Sequence, residues 1–433
     1  MRILPSLLIP ALSLAGLHAE ESLSIQEAIR NAWTGMGGLQ VGQAMVDKAQ
    51  AEAEAMENLR LPTVALGAGL TRTDEPMQAF GTRLDQARIA QADFLPSSLN
   101  HPDPITGFGA ALSVTQPLYA GGRLDAARRA GVAMAEAETR NQAFRRQQVA
   151  LAVDQAYFGA QVARQGLRWA EDTLRQAQEL ERFVQARVDQ GLMLKSEGER
   201  AKAFRAQSEA GVAEARQRLA STRSALALLM GTDPPGQLAT AVDAGPADLP
   251  QGPGSRGDIE ALKAQGEAAR AGVATAQGAF KPDVALNVAV GTARYSLADG
   301  GNWTTASVGV RWTFSFSDSP RVEAAKAAVR AADLGRKWQE RQAGRDADEA
   351  RRSLEAAQAK MASAKVALEA SESVRTMRQA RHREGLLPLV EVLDAEAALS
   401  GARTLLLNSQ LEWRISRAQL ALALGQPVEG IKE

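Results

Sequence analysis

The residues able to do chemistry are few and scattered. The 433-residue chain has no cysteine and three histidines, His18, His101 and His382. No thiolate ligand, cysteine nucleophile or disulfide is available. The histidines lie far apart in sequence, too few for a His-rich metal site. No Gly-rich phosphate loop or nucleophile elbow is present. Acids are plentiful, but no pattern converges them. Glu391 and Asp394 stand three apart in a helical run and so share a face, which alone assigns them no role. Glu391 also falls in the first turn after Pro388, where the helix dipole alone favours an acid. These features argue against an enzyme, and no cofactor or metal is expected.

The elements that hold such residues are long helices. Hydrophobic residues make up 45% but aromatics only 4%, so alanine carries much of the apolar share. Ala, Glu, Arg, Gln and Leu in such proportions favour long helices over several compact cores. Lys+Arg and Asp+Glu are both 50. That balance offers no basic patch for a nucleic-acid partner. The N-terminus reads as a cleavable export leader over residues 1–19: Arg2, an apolar run from Ile3 to Leu17, then Ala19. No later segment has the length and apolarity of a membrane-spanning helix.

The chain repeats itself. Leu61-Pro62-Thr63-Val64-Ala65-Leu66 returns as Lys281-Pro282-Asp283-Val284-Ala285-Leu286, 220 residues on. Arg123-Leu124-Asp125-Ala126-Ala127-Arg128 returns as Arg321-Val322-Glu323-Ala324-Ala325-Lys326, 198 on. Gly191-Leu192 returns as Gly385-Leu386, 194 on. The ordered matches mark a duplication. The fall from 220 to 198 places an insertion in the first half, over residues 74–107. Its prolines and Gly81 read as a loop, with room for a short helix over residues 82–92. The expected organisation is a first repeat over 20–231, a linker over 232–257, a second repeat over 258–425 and a tail over 426–433. Each repeat runs helix, strand, strand, long helix, helix. Ser24 followed by Glu27 is a capping box for the first helix. The run from Arg123 to Gln190 has no proline and, as one helix, would be about 100 Å long. Its alanine-rich stripes read as seams between antiparallel helices.

Four segments alternate, over about 62–73, 108–119, 282–295 and 303–317. In the last, Thr304, Ala306, Val308, Val310, Trp312, Phe314 and Phe316 oppose Thr305, Ser307, Gly309, Arg311, Thr313 and Ser315. In the first, Val64, Leu66, Ala68 and Leu70 oppose Ala65, Gly67, Gly69 and Thr71. One apolar face and one small or polar face fit a transmembrane barrel wall with a watery lumen. Trp303, Trp312, Phe314, Phe316, Tyr119 and Tyr295 sit near strand ends, where an aromatic girdle belongs. A soluble sandwich with one wet face shares the alternation. Four strands cannot close a barrel, and the smallest have about eight. Two chains give eight strands and three give twelve, and the strands do not choose.

At this point the chain resembles the outer membrane efflux protein family, the TolC-like channels. The likeness covers about Leu23 to Gly425. Leu23-Ser24-Ile25-Gln26-Glu27-Ala28-Ile29 resembles the family's opening helix. Gln116-Pro117-Leu118-Tyr119-Ala120-Gly121-Gly122-Arg123 resembles its strand-to-helix junction, and Gly385 to Ala395 its periplasmic tip. The second junction, Phe314 to Arg321, lacks the paired glycines. The resemblance implies a mainly α fold with a small β part. Three copies form a 12-stranded outer-membrane barrel on a hollow periplasmic helical barrel. The implied partners are two further copies, a periplasmic adaptor, an inner-membrane transporter and outer-membrane lipid, with no nucleic acid. The implied role is the exit duct of a tripartite efflux system. A type I protein secretion duct stands beside it, and a non-pore periplasmic coiled-coil protein is the reading from another class.

The resemblance also nominates residues. Glu391 and Asp394 match positions that face the pore at its narrow end, where three copies make acidic rings that favour cations. Their first-half equivalents are Glu197 and Arg200, with Arg200 expected to pair with a tip carboxylate. Gly191, Leu192, Gly385 and Leu386 match the helix turns that dock the adaptor. Where some members carry a tyrosine and an arginine that lock the tip, this chain has His382 and Leu387. His382 is expected as a lone exposed side chain. Arg311 is expected on the barrel's lumen face.

Overall fold

The computed structural model describes residues 22–238, 249–296 and 298–428. The expected leader lies outside them, as do parts of the linker and tail. In chain order the elements are α1 (Ile25–Gly35), α2 (Gly37–Asn58), β1 (Thr63–Thr73), α3 (Pro76–Asp85), a 3-10 turn (Gln91–Phe94), α4 (Pro96–Asn100), β2 (Ile105–Ala120), α5 (Arg123–Asp189), α6 (Lys195–Met230), α7 (Gly257–Gly278), β3 (Asp283–Arg294), β4 (Gly300–Arg311), α8 (Asp318–Arg383) and α9 (Leu389–Leu424). Two compact units emerge: one from segments ending at Gly42, Ala143–Arg256 and Arg341 onward, the other from Gln43–Gln142 and Gly257–Glu340.

The first unit is helical. The Ser24 hydroxyl accepts from the Glu27 N–H at 3.2 Å, and the Glu27 carboxylate accepts from the Ser24 N–H at 2.9 Å. This reciprocal cap satisfies donors that open α1. The core joins Ile25 and Ile29 of α1 to Val153 and Tyr157 of α5 and to Leu226 and Met230 of α6. The buried Tyr157 hydroxyl donates to the Leu23 carbonyl at 2.8 Å, so its one polar atom is not orphaned. A second cluster, at the other end of α5, packs Leu180 and Val184 against Ala201 of α6 and Leu389 and Val392 of α9.

The second unit holds a four-stranded antiparallel sheet in the order β1-β2-β3-β4. The register builds rows across it. Leu66 faces Leu112, which faces Val290; Val64 faces Val114, which faces Val288 and then Ala306. The opposite face is small or polar: Ala65, Ser113, Ala289 and Thr305 in one row, Gly69, Gly109, Ala293 and Gly301 in another. The apolar side chains are open, with Leu66 80% and Val310 69% exposed. Among the described residues, β1 and β4 have no outer neighbours.

Three details depart from the sequence expectation. Strand β4 ends at Arg311, so Trp312, Phe314 and Phe316 lie beyond it. Its ladder partner β3 starts at Asp283, just after Pro282, which has no N–H to extend the pairing. Trp303 points from the small-residue face and lies across Gly291, where any Cβ would collide with its indole. It therefore belongs to no girdle on the apolar face. The insertion is folded: its helix is Pro76–Asp85, not residues 82–92, because Pro76 sits at a helix start.

The two strand-to-helix junctions differ. Gly121 and Gly122 have φ of +61° and +82°, a bend that glycine makes without strain, and Arg123 pairs with Asp283. At the second junction the Asp318 carboxylate accepts from the Ser315 N–H at 3.2 Å. Paired glycines are not needed there.

Candidate functional site

The candidate residues of the tip lie in the helical unit. Each repeat turns there in the same way. Gly191 (φ +74°) donates its N–H to the Val188 carbonyl at 2.9 Å, and Leu192 donates to Arg187 at 2.8 Å. Gly385 (φ +79°) donates to His382 and Leu386 donates to Arg381, both at 2.9 Å. This paired closure is the Schellman ending, which needs a left-handed residue at the glycine position. It leaves Leu192 and Leu386 outside, 64% and 68% exposed, with Leu194 exposed beside them.

After each turn a new helix starts. Glu197 lies in the first turn of α6 and Glu391 in the first turn of α9. Glu391 is held by Arg378 of α8, whose Nη1 lies 2.9 Å from Oε2 and donates to the Glu391 carbonyl at 3.1 Å. The ion pair of Glu391 is thus built by Arg378, and Arg200 has no ion-pair partner among the described residues. Arg378 reaches Glu391 because α8 and α9 run antiparallel out of one turn. Asp394 is exposed and also lacks an ion pair among the described residues.

Arg200 and Asp394 do meet in one place. Both line a groove of about 770 Å³ walled by α5, α6 and α9, with Trp169 and Phe204 among its apolar lining. Glu396 and Arg403 line it too. Glu197 and Glu391 are not in its wall. Arg311 belongs to the other unit. It ends β4 opposite Asp283, in register with the small-residue face.

Two of the charged residues in the groove wall were missed by sequence reasoning. Glu396 is buried, and burial pushes its carboxyl above the usual range against the pull of Arg375 and Arg403. The Arg375 guanidinium is 3.9 Å away. Arg403 stacks on Trp169 at 5.4 Å, and burial lowers its pKa. The signal was in the spacing. Leu389, Val392, Glu396, Leu399 and Arg403 step by three and four along α9, so the charged pair sits on the seam.

A raised carboxyl pKa fixes the sign of a pH effect. Glu396 favours the fold below the ordinary glutamate range, and that contribution is lost as pH rises through its raised value. Glu396→Gln is expected to raise the thermal midpoint by a few degrees at pH 8 and to flatten its decline above pH 5. Circular-dichroism melts of both proteins across pH check this. A variant with the parental pH slope would contradict it.

His382, expected exposed, is 1% exposed. Its Nδ1 is 2.8 Å from the Leu387 carbonyl, and its ring meets Phe183 edge-on at 6.0 Å. Phe183 comes from the other repeat, which local sequence could not reveal. No group of three or more His, Cys, Asp or Glu able to hold a metal occurs among the described residues. Nor does any described helix have the length and apolarity to cross a membrane.

Known proteins can now be set beside this geometry. The family model for outer membrane efflux proteins matches residues 34–232 and 254–426. No curated protein matches the chain. Among solved structures, the outer membrane protein VceC of Vibrio cholerae is 20% identical, with a TM-score of 0.75, covering 93% of this chain and 96% of that one. The CmeC outer membrane channel of Campylobacter jejuni is 17% identical, TM-score 0.79, covering 94% and 87%. The open state of the MtrE outer membrane channel of Neisseria gonorrhoeae is 20% identical, TM-score 0.78, covering 94% and 90%. These likenesses give the fold, mostly helical with a small sheet. The family match over both segments gives the rest: the chain belongs to the outer membrane efflux protein family and is a non-enzymatic outer-membrane efflux channel.

Proposed function

We propose that the chain is the passive exit duct of a tripartite efflux system. Three copies close their sheets into one 12-stranded barrel, and their helices continue it as a tube through the periplasm. The repeats 20–231 and 258–425 contribute two strands each. The leader over 1–19 directs export. A periplasmic adaptor docks on the turns at Gly191-Leu192 and Gly385-Leu386, and an inner-membrane transporter supplies cargo and energy.

One observation carries this reading: the sheet has two open edges and one continuous apolar face. Open edges invite pairing with further strands, and barrel closure is what removes them. Lipid accounts for the exposed leucines and valines, and a lumen accounts for the small face.

The acidic ring rests chiefly on Asp394, since Arg378 offsets the charge of Glu391. In planar bilayers the purified channel is expected to conduct without an energy source and to favour cations. Asp394→Asn is expected to reduce the cation-to-anion permeability ratio severalfold, and Glu391→Gln to change it less. Reversal potentials in a salt gradient measure both. An unchanged ratio in the double variant contradicts the ring.

A further inference from the structure

The folded insertion between β1 and β2 packs on the sheet, and the side it packs on can be read from two glycines. A Cβ at Gly301 would collide with the Asp85 carbonyl of α3. A Cβ at Gly107 would lie 2.8 Å from Thr82 Cγ2 and 2.9 Å from Gln86 Nε2. Gly301 shares its row with Ala293, Gly109 and Gly69, so both glycines face the small-residue side. Helix α3 therefore lies across the small face, at the end of the sheet that carries the hairpin loops.

The seat is specific. Gln86 is 1% exposed, and its Nε2 donates to the Thr106 carbonyl at 3.1 Å and the Arg294 carbonyl at 3.3 Å. The β2–β3 ladder ends at Phe108 and Arg294, so Gln86 serves backbone acceptors at that end. Arg88 stacks on Tyr295 at 4.9 Å. The insertion also has internal ties. Phe80 meets Phe94 edge-on at 5.7 Å, and the buried Asp93 pairs with Arg83 and accepts from the Ala90 N–H at 2.7 Å. A merely tolerated loop would need none of this. What remains open is an apolar rim, including Met77, Leu84 and the outer face of Phe94, all more than half exposed.

We propose that residues 75–103 form a fixed inner collar at the outer mouth of the channel, a size filter with an apolar rim. This rests on the barrel reading, in which the small face is the lumen. Three collars then narrow one mouth. Trp303 lies on the same face, across Gly291, and adds bulk just below the collar. The second repeat has only the short turn between Arg294 and Gly300, so the filter comes from the first repeat alone.

The chain's lack of cysteine makes the test clean. Met77→Cys channels in a planar bilayer are treated with a bulky cationic methanethiosulfonate from the loop side. Conductance is expected to fall by about half and to recover with reductant. Val308→Cys, on the apolar face, is expected to show no change. Replacing residues 75–103 with a short Gly/Ser turn, as in the β3–β4 hairpin, is expected to raise conductance about twofold. Unchanged conductance in both the labelled and the deleted channel overturns the collar and leaves the duct standing. A parental chain that opens no channels overturns both.

Discussion

Leu112→Arg is expected to abolish assembly in the outer membrane, whereas Ser113→Arg, one residue on, is expected to be tolerated. Leu112 lies in β2 between Leu66 and Val290, in the middle of the apolar face. A buried arginine at mid-membrane depth on the lipid side costs about 2–4 kcal/mol per copy. In the proposed barrel of three copies that cost is multiplied and rivals the whole margin of a typical fold. Ser113 sits between Ala65 and Ala289 on the small face, where a guanidinium meets water. Its expected signature is an assembled channel with altered ion preference. Membrane fractionation and trimer mobility in unheated gels measure the first effect, and bilayer recordings the second. Equal tolerance of both variants would contradict a sheet with one face in lipid.

The second large effect is expected at the helix turns. Leu192→Asp combined with Leu386→Asp is expected to reduce dye efflux in cells to that of a strain lacking the channel, with assembly intact. Both leucines follow a left-handed glycine and project outward because the Schellman closure uses their N–H groups, not their side chains. Neither supports the buried cluster of Leu180, Val184, Leu389 and Val392. Their loss therefore spares the fold and removes apolar area that a docking partner would cover. Dye retention with normal amounts of trimer is the predicted result. Parental efflux would remove these turns from the adaptor surface.

These expectations were legible in the sequence to different depths. The helical content followed from an alanine-rich composition and proline-free runs, and the small sheet from period-two alternation, since a one-sided surface imposes that period on a strand. Alternation alone puts Trp303 on the side of Thr305 and Ser307. What it does not show is that Gly291 lies opposite and leaves room for the indole, because register is a property of two strands. The fold of the insertion was hidden for a similar reason: α3 is seated by Gly107 and, from far away in sequence, by Gly301 and the carbonyl of Arg294. At the tip, Gly191 and Gly385 announced the turns because backbone geometry there admits little else. The partner of Glu391 was less visible. Arg378 was one of several basic residues before the turn, and only the packing of α8 on α9 selects it. Glu396 and Arg403 could have been found from their place on the α9 seam, where charged residues break an otherwise apolar pattern.

The central claim is that separate chains complete one barrel, and the particle itself tests it. The full-length chain would be expressed with its leader, the inner and outer membranes separated, and the solubilised protein weighed by light scattering corrected for detergent. The account predicts an outer-membrane particle with three times the mass of one processed chain. A water-soluble periplasmic monomer or dimer would contradict it, because the exposed leucine and valine face would then have neither lipid nor neighbouring strands to cover it.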